Sequence, residues 1–144
     1  MFIEVEQLTL DPKYQRDPLE EIPVREENPD RAEILRILRE ARDLLARPYG
    51  WVKQSTIRHR SKQNGGGYAY CAVGAIHFAA TGQDGYTDKR NHPEWAAASL
   101  VAEEMGVYRS LPDHIPEWND HRDTRKKDVL AAFDKAILRA EEGA

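Results

Sequence analysis

The segment around residues 70–80 most constrains how this chain can fold. Ala72, Val73, Ala75, Ile76, Ala79 and Ala80 leave a helix with almost no polar face. Such a helix has to be buried, so one is expected from about Tyr70 to Ala80, with Gly82 in the left-handed position that closes it. Three other segments show helical periodicity, each with an apolar stripe that can cover a central helix. One begins at Pro29 behind an Asn28 cap, carries Ile34, Leu35, Leu38, Ala41 and Leu45, and ends at Arg47-Pro48 and Gly50. One starts near Pro93 with Asn91 or His92 as cap, aligns Trp95, Ala98, Ala102 and Met105, and ends at Gly106. The last starts after Asp123 or Thr124 and aligns Val129, Leu130, Phe133, Ile137 and Ala140.

Between these segments the sequence predicts less regular structure. Trp51, Val52, Ile57, Tyr68 and Tyr70 fit the arms of a hairpin around Asn64-Gly65-Gly66-Gly67. Val107–Asn119, with Pro112 and Pro116, reads as a loop. At the N-terminus, Phe2–Leu8 reads as a short strand. Pro12, Pro18 and Pro23 then forbid a continuing helix. The expected fold is mainly α: a compact bundle of about four helices with a small β element. Residues 1–28 form an acidic extended arm, and residues 29–144 form one helical domain.

Composition matters mostly for what it excludes. With 144 residues the chain can bury a core of its own. One cysteine permits neither an internal disulfide framework nor an all-cysteine metal site. No apolar run approaches the ~20 residues that span a bilayer, and no signal peptide opens the chain. A cytoplasmic protein without a membrane partner is expected. The net charge of −4 is unevenly spread. Residues 1–30 hold nine acidic and three basic side chains, whereas Leu44–Gln83 contains no acid and five bases, Arg47, Lys53, Arg58, Arg60 and Lys62.

Three features bear on chemistry. Cys71 stands where the buried helix should begin, and the positive end of a helix dipole favours thiolate. A nucleophilic cysteine also needs a base and an orienting group, which His114 or His121 and Asn119 or Asp120 can supply. The bland alternative is a small apolar residue in a core, and His77 lies near the opposite helix face. Next, Trp118-Asn119-Asp120-His121 reads either as a polar site with a Trp platform or as a corner whose Asn and Asp satisfy backbone N–H groups at the turn into the last helix. The second is favoured. Finally, Trp51, Lys53, Arg58, Arg60 and Lys62, with Tyr49, Tyr68 and Tyr70 nearby, can combine phosphate contacts with base stacking. The acidic total argues against a dedicated nucleic-acid binder.

The five histidines show no HExxH and no regular ligand spacing. Asp84–Asp88 lacks the alternating oxygens and closing Glu of a calcium loop. Gly65-Gly66-Gly67 lacks the Lys-Ser or Lys-Thr of a phosphate loop. No cofactor and no metal are expected.

Ala41-Arg42-Asp43-Leu44-Leu45, Gly50-Trp51, Cys71-x-x-Gly74-Ala75 and Trp118-Asn119-Asp120 with Thr124 and Val129 together resemble a family of small proteins from actinobacteria and their bacteriophages. The resemblance covers roughly residues 30–140 and implies a helical domain in a bacterial or phage cytoplasm, but no reaction. Val5-Glu6-Gln7-Leu8 and Tyr14-Gln15-Arg16 look like the opening strand and turn of ParB-like proteins, an appended arm without the later phosphate motif. The leading functional expectation is a small non-enzymatic binding protein acting on a host protein or a nucleic-acid-handling complex. The alternatives are a hydrolase or transferase built on Cys71, and a nucleic-acid binder using the 49–70 segment. Trp118 joins Trp51 and the four basic residues as a candidate binding residue.

Overall fold

A computed structural model describes residues 29–59, 65–106 and 111–143. The Phe2–Leu8 strand, the extended arm, the Asn28 cap and the side chains of Arg60 and Lys62 lie outside the described residues. The described part contains five α-helices: α1 Pro29–Ala46, α2 Ala72–Thr81, α3 His92–Ala102, α4 Ile115–Asp120 and α5 Lys126–Glu141. Two three-residue strands, β1 Ile57–His59 and β2 Tyr68–Tyr70, and a 3-10 turn at Pro112–His114 complete it. The fold is mainly α with a small β element. None of the described helices is long and apolar enough to cross a membrane.

The apolar segment forms α2 as its composition requires, with Ala72 through Ile76 and Ala79 buried. Gly82 closes it at φ 77°, its N–H returning to the Phe78 carbonyl at 2.7 Å. α1 packs on α2, α3 and α5. Its buried stripe is Ile37, Leu38, Ala41, Leu44 and Leu45, while Ile34 and Leu35 are only partly covered. The expected stripe is therefore rotated toward the C-terminal half, because α1 must face three helices at once. α5 buries Val129, Ala132, Phe133, Ala136 and Ala140. It begins at Lys126, not directly behind Asp123 or Thr124. The Asp128 carboxylate accepts the Arg125 N–H at 2.8 Å and satisfies that end.

The hairpin forms with Ile57 opposite Tyr70, Arg58 opposite Ala69 and His59 opposite Tyr68. A third segment joins it: Val52 N–H donates to the Tyr70 carbonyl (3.0 Å) and Tyr70 N–H to the Gly50 carbonyl (2.7 Å). Gly74 lets this β element lie directly on α2. A Cβ at Gly74 would stand 1.9 Å from the Thr56 carbonyl oxygen, so no other residue fits there.

The expected loop over Val107–Asn119 is corrected. Residues 112–114 form a 3-10 turn that runs into α4. Both prolines stand in the first turn of their element, where a missing N–H breaks no hydrogen bond. The expected end of the helix before it also shifts: α3 stops at Ala102, before Gly106.

Candidate functional site

The centre of the site is Asn119, fully buried at the end of α4. Its Oδ1 accepts the Trp51 indole N–H at 2.7 Å and the Ala72 amide at 3.0 Å. Its Nδ2 donates to the Val52 carbonyl at 3.1 Å and to Asp120 Oδ1 at 3.0 Å. One side chain thus joins the 51–52 segment, the first turn of α2 and the end of α4, using both acceptor sites and both donors. Asp120 continues the network by accepting the Gln54 N–H at 2.8 Å. That bond holds Gln54 at φ 64°, a region non-glycine residues rarely enter. The corner residues do satisfy backbone donors, but those of α2 and of the 51–54 segment instead of α5.

Cys71 precedes the first residue of α2 and is buried. Its sulfur caps the helix by accepting the Gly74 N–H at 3.3 Å. Burial pushes the thiol pKa up; the N–H groups of Gly74 and Val73 pull it back, and the Asp120 carboxylate pushes it further up. The net direction is upward, so desolvation outweighs the helix N-terminus. The sequence brings Cys71, Asn119 and Asp120 together in space but leaves both candidate bases aside. His114 precedes α4, and His121 follows it with Nδ1 accepting the Asp123 N–H at 3.1 Å. Among the described residues no histidine lines the cavity beside Cys71.

The basic and aromatic candidates are distributed differently. Trp51 points its indole N–H inward to Asn119. Lys53 donates to the His121 carbonyl at 2.6 Å and lies 5.5 Å from the centre of the Trp51 ring. Trp118 is buried in the core, whereas Arg58 is exposed on β1. Trp51, Lys53 and Trp118 therefore take part in internal packing.

Two cavities of about 290 Å³ each share Tyr86 and Pro116 as walls. The first is polar, with Gln54, Ser55, Thr56, Cys71 and Asp120. The second is lined by Val73, Thr87, Trp95, Pro112 and Asp113. Adjoining at those two residues, they form the two lobes of a groove flanked by residues 54–56, Tyr86 and Thr87, and the turn leading into α4. The hydroxyl of Thr87, one of its lining residues, is buried without a hydrogen-bond partner among the described residues. Tyr86, 67% exposed, stands at its mouth.

Behind the groove lies a residue that sequence reasoning missed. Glu94 on α3 is completely buried. It pairs with His77 Nδ1 at 2.7 Å, and also accepts the Asp88 N–H at 3.1 Å and the Asn91 amide at 3.2 Å. It thereby fastens the loop carrying Tyr86 and Thr87 to the core. The available signal was spacing: Glu94 shares its helix face with Ala98 and Val101, both inside the core. A carboxylate on that face needs partners, and Asn91 and His77 provide them.

Among the described residues no three His, Cys, Asp or Glu side chains gather as metal ligands. No curated protein and no solved structure matches the chain. The Cys71-x-x-Gly74-Ala75 and Trp118-Asn119-Asp120 motifs meet at a single network, and a family model containing both spans matches residues 29–139. The chain belongs to that family, a family of unknown function designated DUF6197.

Proposed function

We propose that this protein is a non-enzymatic binding domain whose working surface is the two-lobed groove between Cys71 and Trp95. The observation that carries this reading is the state of Cys71. Its thiol is buried, its sulfur is engaged as a helix cap, and its acidity is reduced by burial and by a neighbouring carboxylate. A nucleophilic cysteine needs the opposite: an exposed sulfur, a base, and a positive surrounding. The groove in turn has mixed apolar and polar walls, as binding clefts do. A bacterial or phage cytoplasmic setting, implied by the motif resemblance, and a host protein as partner belong to the same proposal.

Alkylation tests the reading. Native Cys71 is expected to react with iodoacetamide at least ten-fold slower than the urea-unfolded chain at every pH from 6 to 9. Fast reaction near pH 6 would overturn it in favour of cysteine chemistry. The binding half is checked by amide NMR with a mixture of neutral, cationic and anionic fragments. Shifts at Gln54, Thr87 and the Trp95 indole are expected, and a silent groove would count against it.

A further inference from the structure

We propose that the groove receives an extended peptide segment that presents an arginine or lysine side chain. The inference rests on the reading of the groove as the working surface and names what that surface takes. Its first support is charge. Asp113 and Asp120, one per lobe, are the charged side chains among the described residues that line it. Asp84 stands beside the polar lobe, bonded to the Thr56 hydroxyl. Among the described residues none of the three forms an ion pair with a basic side chain. Among the described residues Asp120 accepts two hydrogen bonds, from neutral donors, both on Oδ1. Among those residues none donates to its Oδ2, and a guanidinium or ammonium is the donor a carboxylate binds best.

The second support is the lining of the lobe at Trp95, where aromatic and proline walls stand beside Asp113. Pro112 and Pro116 give it rigid walls without N–H donors, and Tyr86 and Trp95 supply flat aromatic faces. The Lys89 ammonium already stands 5.7 Å from the Trp95 ring centre, so an incoming cation is left to the carboxylates instead of to that ring. Side chains on one side of an extended strand recur at every second residue. Two lobes that share Tyr86 and Pro116 fit two such side chains, one of them cationic.

The test is a charge series on the whole chain. Acetyl-Ala-Pro-Xaa-Pro-Ala-amide peptides with Xaa as arginine, lysine, citrulline or glutamate are titrated while the Gln54, Thr87 and Trp95 signals are followed. The arginine and lysine peptides are expected to shift them. The citrulline peptide should bind at least ten-fold more weakly, and the glutamate peptide not at all. Raising NaCl from 50 to 500 mM should weaken arginine binding several-fold. Asp113→Asn and Asp120→Asn should each weaken it at least five-fold. Asp113 is exposed, and asparagine at 120 keeps the oxygen that Gln54 needs, so both variants should retain the native amide spectrum. Equal binding of all four peptides, or full affinity in both variants, overturns the cationic inference and leaves the groove reading standing. The cationic inference falls in the same way if the mixed fragments shift the groove but no peptide does. If neither fragments nor peptides move those signals, both readings fall.

Discussion

Asn119 has no hydrogen-bonding capacity to spare. Replacing it with alanine strands the Trp51 indole, the Ala72 amide and the Val52 carbonyl, all served by that one side chain. Each buried orphan costs about 1–3 kcal/mol, so Asn119→Ala is expected to lose about 3–5 kcal/mol in urea denaturation. Gly74→Ala should lose at least about 3 kcal/mol, because the new methyl has to displace the Thr56 backbone. Cys71 makes a pH prediction. Its folded pKa is raised above the unfolded value, so its contribution is fully present below the ordinary thiol range. That contribution is lost as pH rises from about 8.5 toward the folded value. Urea melts between pH 7 and 10 should show this alkaline loss, and Cys71→Ala should flatten it. At this scale the sequence was half legible. Asn and Asp at a helical corner suggest capped N–H groups, but nothing local says that those groups belong to residues 54 and 72.

Among the elements, α2 was the most legible because burial on all sides leaves no choice of face. α1 was legible as a helix but not in its facing: Ile37 and Leu44 point into the core, which only the positions of three neighbouring helices decide. α4 was hidden because Pro112 and Pro116 look like breakers until their place in a first turn is known. The 82–91 loop has its own hold on the molecule, through Glu94. In Glu94→Ala the Asp88 amide loses its acceptor and His77 its partner. The Asp88 amide is then expected to exchange with solvent at least ten-fold faster, while amides in α5 keep their protection. Unchanged exchange at Asp88 would show that the loop is held by something else.

At the scale of the molecule, helices that meet in the core are also linked at the surface. Arg39 pairs with Glu141 and Arg42 with Asp134, linking α1 to α5, and Arg139 reaches Glu103 and Glu104 beyond α3. These partners are partly exposed, and such pairs contribute roughly 0–1 kcal/mol each and are screened by salt. Raising NaCl from 0.1 to 1 M is therefore expected to lower unfolding stability by no more than about 2 kcal/mol. A larger loss would mean that charge, not the buried stripes of α1, α2 and α5, holds the bundle. The overall class was legible because alternating apolar stripes require helices to cover one another. The groove was not, since its walls come from residues 54 to 56, 71 to 73, 86 to 95 and 112 to 120.

The Asn119 junction also sets an order of events during synthesis. A ribosome completes α2 at Thr81, well before the residue that satisfies its first amide has been made. Until Asn119 leaves the tunnel, α2 has an unsealed end and Trp51 an indole N–H with no acceptor. The residues from 29 to 118 would then lack the contact that joins the 51–52 segment to α2, and that junction closes only when the α4 corner arrives. A protease acting on stalled nascent chains would meet a susceptible substrate up to that length and a resistant one once α5 has followed.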